Sequence, residues 1–237
     1  MDGREVSRRG FLRRSSAALA GAALAGALST RADAGEDAAA KPGAGDADKG
    51  RKPWQMRQST STVQFGSLSL AKACERIAAL GFEAVDIWHS GFGSPHLEEV
   101  EKMGADALKD LLAKTKLKLY AFTCYSVGAN QGYPRYAELL GKAGGGVAVR
   151  EARYGKVTDL SAEMKTFLEQ LKPQAELAAK NNTRLAVENH GNSLLGSKDS
   201  FKAFVDLNRY PNVGIALAPY HLQGAKIPVE EVVQIVG

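Results

Sequence analysis

Glu188, Asn189 and His190 stand in immediate succession and bring a carboxylate, an amide and an imidazole to one short stretch of chain. A carboxylate held partly out of water beside a substrate carbonyl can remove a proton from the adjacent carbon, and it can also serve as an oxygen ligand to a divalent metal. Glu188 is therefore both the expected catalytic base and the expected metal ligand. Imidazoles suit proton transfer near neutral pH and nitrogen ligation. The chain has four histidines; His89, His190 and His221 each fall within a few residues of a predicted strand end, and His96 lies in a following loop. His221 is the leading candidate to bind substrate. His190 is expected to support Glu188 at the same substrate site, with Asn189 and His89 completing the polar set. A turn position beside Trp88 explains His89 equally well, and packing after Pro219 is the alternative for His221.

Other polar residues at strand ends have simpler readings. Asp86 is expected to cap a turn, with pointing into the barrel as its alternative, and Glu151 to pair with Arg153; Tyr125 and Trp88 are expected to pack, with stacking on a bound ligand as their alternative. Gly144, Gly145 and Gly146 lack the strand-before, helix-after context of a phosphate loop. No Ser-His-Asp or Cys-His set has supporting spacing. Cys74 and Cys124 are the only two cysteines, too few for a disulfide framework, and are expected to be free.

These groups need a scaffold that brings them to one place. Leu185, Ala186 and Val187 read as a buried strand that stops where the polar cluster begins. In an α/β barrel the active site gathers at the C-terminal ends of the parallel strands, so the order of apolar run and then polar cluster is informative. The same order recurs along the chain. Further strands are predicted over 60–65, 84–88, 117–122, 145–151 and 212–217, alternating with helices such as the one marked by Leu70, Cys74 and Ile77. Pro173 is expected to kink the long helix running from Leu160 or to remove one of its hydrogen bonds. Pro228 opens the last helix.

This alternation predicts an α/β fold with a parallel sheet and right-handed crossovers. Five units cover the 154 residues from Gln64 to Ala218, about 31 each. A closed eight-unit barrel of roughly 250 residues would need on the order of 60 more than this chain supplies. The expectation is a TIM-barrel-type domain over residues 54–237, incomplete at about six β/α units and lacking the last two. Its two open edges are a liability that a second copy of the chain could cover, so a homo-oligomer is among the expected arrangements.

Residues 1–34 read as a leader. Arg8 and Arg9 precede Phe11 and Leu12, a mildly apolar Ala/Gly/Leu run follows, and Ala32 and Ala34 offer small residues at a cleavage position. This is the order of a twin-arginine export signal, which predicts a periplasmic or other extracytoplasmic location. Residues 35–53, rich in Ala, Gly, Asp and Lys without apolar periodicity, are expected to form a disordered tether. Of the chain's 31 basic and 26 acidic residues the leader holds six and three, leaving 25 against 23, or +2. So balanced a remainder gives no argument for nucleic acid as a partner, and no stretch of the mature chain is apolar enough to span a membrane.

The run from Leu80 to Asp86, the stretch 185–190 and the phrase from Asn212 to Leu222 resemble the sugar phosphate isomerase/epimerase family, the xylose isomerase-like TIM barrels. The resemblance covers residues 59–237. It implies a divalent metal (Mn, Mg, Co or Zn) held by a Glu after the fifth strand, an Asp after the sixth, a His after the seventh and a Glu after the eighth. It also implies proton transfer between neighbouring carbons of a sugar. Carried over, Glu188 matches the fifth-strand ligand and His221 a substrate-contacting His three residues beyond the sixth-strand Asp. That Asp position is Ala218, which has no donor atom, and the last two ligands have no counterpart. The expected function is proton transfer between adjacent carbons of a sugar or polyol. The alternative is a non-catalytic carbohydrate-binding or degenerate barrel. An abasic-site endonuclease on the same fold would need more His and Asp ligands and a basic DNA face, neither of which is visible.

Overall fold

Six short runs, five of them largely apolar and the first Ser-Thr-Ser, become six parallel strands, each hydrogen-bonded to the next in chain order. The structure, a computed structural model, describes residues 58–126 and 132–237. The strands are β1 (Ser59–Ser61), β2 (Ala84–Trp88), β3 (Lys118–Thr123), β4 (Gly146–Glu151), β5 (Thr183–Glu188) and β6 (Val213–Ala216). Between and after them come helices α1 (Leu70–Ala79), α2 (His96–Thr115), α3 (Tyr133–Lys142), α4 (Leu160–Lys180), α5 (Lys198–Leu207), α6 (Pro219–Gly224) and α7 (Val229–Val236). The order β1-β2-β3-β4-β5-β6, with a helical crossover between successive strands, is that of a TIM barrel. Among the described residues the sheet is open, with β1 and β6 as its edges. The leader and tether expected over residues 1–53 lie outside the described residues.

The two faces of the sheet differ in composition. Val85, Ile87, Phe122, Ala148, Leu185 and Val187 are buried in a single core with Ile77, Met164, Leu171 and Phe201 from the helices. Burial of each large member contributes about 1.5–3 kcal/mol. The residues between them in sequence point to the other face, because side chains alternate along a strand. Register aligns Asp86 with Ala121, Val149 with Ala186 and Gly214, and Glu151 with Glu188 and Ala216. That face therefore carries Ala and Gly midway and carboxylates at the strand ends, which leaves room above it.

Local chemistry explains where the elements start and stop. Ser69 caps α1, Asp159 caps α4, and Ser197 forms a reciprocal capping box with Ser200 at α5. The first strand is shorter than the predicted 60–65: the Ser61 side chain accepts from the Val63 amide and turns 62–65 into a 3-10 helix. Pro173 does not split α4; it sits on the exposed face, where water can satisfy the carbonyl freed four residues earlier. Gly104 (φ +82°) interrupts α2, which the apolar spacing alone presents as continuous. A bulge at Tyr120 shifts the β2–β3 register and brings Asp86 opposite Ala121. No helix among the described residues is long and apolar enough to cross a membrane.

Candidate functional site

Glu188 is the last residue of β5, half-buried, and the Tyr125 hydroxyl beyond the end of β3 donates to its Oε2. Burial, and then that bond to Glu188, push the Tyr125 phenol well above its ordinary range, so it remains a donor. Beside Glu188 lie His190 and His221, their ring centroids 4.2 Å apart. One donor atom from each of Glu188, His190 and His221 falls within 4.8 Å of the others. Burial, followed by the neighbouring His190, lowers the His221 pKa and favours its neutral ring.

Three local devices hold this trio. Asn189 points away from the mouth and is buried; its Oδ1 accepts from the Ala218 amide at 2.6 Å and its Nδ2 donates to the Ala218 carbonyl at 3.2 Å. Ala218 is the residue from which α6 starts, and Pro219 takes the first helical position. The clamp thus fixes the short helix that carries His221 onto His190. On the other side, the exit loops of β4 and β5 meet in an isolated antiparallel bridge between Tyr154 and Ser193. Leu194 donates its amide to the Arg153 carbonyl at 2.7 Å, and the Tyr154 ring lies 5.4 Å from that of His190. Position 196 must be glycine for this turn, since a Cβ there would lie 2.9 Å from the His190 carbonyl oxygen.

In a second polar group, at the ends of β2 and β3, the carboxylate is enclosed by its own strands. Asp86 accepts from Trp88 Nε1 at 2.6 Å and from Thr123 Oγ1 at 3.0 Å. Burial raises its pKa to about 7, opposed by these hydrogen bonds. His89 is fully buried; its Nδ1 accepts from the Gly91 amide at 3.0 Å, so it caps the 3-10 turn Ser90–Phe92 and stands apart from the trio. His96 opens α2 rather than lying in a loop, and Ser94 and the Leu68 carbonyl occupy its two nitrogens. The expected Glu151–Arg153 pair does not form. Arg153 pairs with Glu163, while Glu151 accepts from the Ser126 amide at 3.3 Å and lies 3.8 Å from Arg150. Both cysteines are free and buried; burial pushes the Cys74 thiol up to about 12.

The rim is aromatic. Trp88, Phe92 and Tyr125 pack edge-to-face or tilted at 5.5–5.7 Å, Tyr125 meets His190 at 5.8 Å, and Tyr220 meets His221 at 5.2 Å. Phe92, Tyr154 and Tyr220 are exposed. The partnership of Tyr125 with Glu188 spans 63 residues of sequence, and only the aromatic at a strand end hinted at it.

The metal ligands implied by the resemblance can be tested against these positions. Glu188 is in place, but position 218 offers a methyl group whose backbone is already held by Asn189. The donors that do gather are Glu188, His190 and His221, and Nδ1 of His190 is buried with no hydrogen-bond partner among the described residues.

Residues 74–237 match the family model described as xylose isomerase-like TIM barrel. No curated protein sequence matches the chain. Among solved structures, the probable 3-DHS dehydratase AsbF from Bacillus anthracis superimposes with a TM-score of 0.63 at 17% identity, covering 76% of this chain and 69% of its own. The 3-keto-D-glucoside 4-epimerase YcjR from E. coli gives 0.61 at 16%, covering 77% and 75%. The IOLI protein, solved with a bound zinc atom, gives 0.60 at 15%, covering 74% and 67%. At such identities these structures establish likeness of fold.

Proposed function

The chain belongs to the xylose isomerase-like TIM barrel family, and on that premise we propose that it is a sugar isomerase or epimerase in which Glu188 moves the proton. One observation carries the reading: a half-buried carboxylate stands at the C-terminal end of a barrel strand, with the Tyr125 hydroxyl donating to it and His190 and His221 beside it. The epimerase among its structural neighbours supports the same class of substrate.

Glu188 takes a proton from the hydroxyl-bearing carbon next to the substrate carbonyl and returns it to the carbonyl carbon, while the hydroxyl proton passes to the former carbonyl oxygen; return to the first carbon on its other face gives the epimer. The phenol of Tyr125 holds the carboxylate in one orientation, so less ordering remains to be done when the substrate arrives. Tyr154, Tyr220 and Phe92 offer apolar faces to the C–H side of a sugar or polyol, and the imidazoles of His190 and His221 meet its hydroxyls. A divalent ion of the Mn, Mg, Co or Zn class would take Glu188 as a ligand and, when bound, would polarise the carbonyl. The twin-arginine pattern in residues 1–34 supports a periplasmic or other extracytoplasmic location for this activity.

The test is deuterium incorporation from D2O into a panel of ketoses and aldoses, followed by NMR with wild type and Glu188→Gln. Exchange in the wild type that falls by about 10²–10⁴-fold in the variant, at unchanged melting temperature, is the expected result. The non-catalytic alternative is favoured by one feature, Ala218 at the position where the resemblance expects an Asp. Saturation-transfer signals from bound sugar without any exchange would select it.

A further inference from the structure

The Glu188 carboxylate and the two imidazoles form a donor set that the family pattern does not contain. Two of its three donors are nitrogens, and His190 has no counterpart in the pattern the sequence suggested. Their ligating atoms already lie within 4.8 Å of one another, so small side-chain rotations bring all three to one ion at the roughly 2.0–2.2 Å expected for nitrogen and carboxylate ligands. Each donor is fixed from outside the cluster. Glu188 ends β5, the turn after β5 is closed by Ser193 Oγ donating to the His190 carbonyl at 2.8 Å, and α6 is clamped through Ala218. A site assembled on positioned elements is better organised than one on free side chains.

His190 supplies the independent observation. Its Nδ1 is buried without a hydrogen-bond partner among the described residues, as are Nε2 of His89 and the Tyr136 hydroxyl, and of these three residues only His190 stands beside a carboxylate and a second imidazole. The two rings are 4.2 Å apart, and no described side chain hydrogen-bonds across the space between them. A cation is a ligand that accepts a lone pair from both rings and an oxygen of Glu188 together. The mixture of two imidazoles and one carboxylate suits zinc or cobalt and disfavours magnesium, which demands oxygen donors in a regular octahedron.

We propose that Glu188, His190 and His221 form a three-donor site for a zinc-class divalent ion, leaving the remaining coordination positions for water or an oxygen of the substrate. The assignment makes His190 and His221 metal ligands first, and a substrate meets them through the ion. It does not rest on the isomerase reading, because a cation can occupy the site in a chain that turns over no sugar.

The experiment takes the full chain, stripped with a chelator and dialysed, and titrates it with Zn2+ by calorimetry, with metal content determined after desalting. One equivalent is expected. His190→Ala and His221→Ala should each weaken binding by at least about tenfold, and millimolar Mg2+ should not compete. Circular dichroism and melting curves show whether each variant folds. For any that does not, the Co2+ spectrum of the wild-type chain gives the answer, since intense visible bands report low-coordinate cobalt with nitrogen ligands and weak ones an octahedral oxygen environment. Uptake that both histidine variants leave unchanged, weak octahedral-type bands, or no uptake at all overturns the assignment. Full metal uptake without any isotope exchange leaves the site intact and sinks the isomerase reading alone.

Discussion

Two polar groups cap the strands on the same side of the sheet, and they differ in enclosure: the Asp86 carboxylate is closed in by partners from its own strands, whereas the Glu188 carboxylate opens on two imidazoles. At β2 and β3, Asp86 takes its hydrogen bonds from Trp88 and Thr123, and buried His89 takes one at Nδ1 from its own turn, its Nε2 having no partner among the described residues. At β5 and β6, Glu188, His190 and His221 are half-buried, ringed by exposed aromatics, and one imidazole nitrogen is left without a partner. Strand-end chemistry of similar composition thus serves two ends. A carboxylate bound by an indole and a hydroxyl of its own strands locks the fold, whereas one gathered with two imidazoles beneath exposed aromatics is arranged for something that is not part of the chain.

The largest effect expected from breaking the open group is the loss of isotope exchange in Glu188→Gln by about 10²–10⁴-fold, with stability unchanged. The same replacement logic in the closed group gives the opposite pattern. Asp86 has its folded pKa raised from 3.8 to about 7, so its contribution to stability is fully present below the unfolded value and is lost as pH rises through the folded one. Between about pH 4 and 7 the wild type should therefore lose up to roughly 4 kcal/mol, and Asp86→Asn should flatten that slope in denaturant titrations across pH. An unaltered slope would show that Asp86 is not the group responsible.

Asn189 lies between the two cases, because its sequence neighbours are chemical and its contacts are structural. Asn189→Ala strands both polar groups of Ala218 and should cost about 1–3 kcal/mol in urea midpoints. It should also weaken Zn2+ binding through loss of the His221 position, whereas a stability loss with metal affinity unchanged would separate clamp from site. The smallest effect is expected of Tyr125→Phe, about 0.5–1.5 kcal/mol of stability. A modest fall in exchange rate with a similar KM would mark Tyr125 as positioning Glu188 rather than binding substrate.

Much of this architecture is legible in the residues. Ala84–Trp88 is found as predicted, and the fourth strand lies within one residue of its expected limits, since apolar periodicity is a local property. Glu188 and the three strand-end histidines could be singled out because groups so costly inside a strand must lie at its end. Two readings fail for different reasons: the Ser61 side chain, acting over two residues, ends the first strand early, and Arg153 finds Glu163 instead of Glu151 across the loop after β4.

The sequence by itself determined the alternation of strand and helix, the parallel sheet that follows from it, and the strand ends at which polar groups collect, because each depends on the order of apolar and polar side chains over a few residues. Which of those groups meet was decided only by the tertiary structure. Glu188 and His221 are 33 positions apart, and His89 is excluded from their company. Sheet register and a side-chain clamp bring the donor atoms of Glu188, His190 and His221 within 4.8 Å of one another, and neither is written in local spacing.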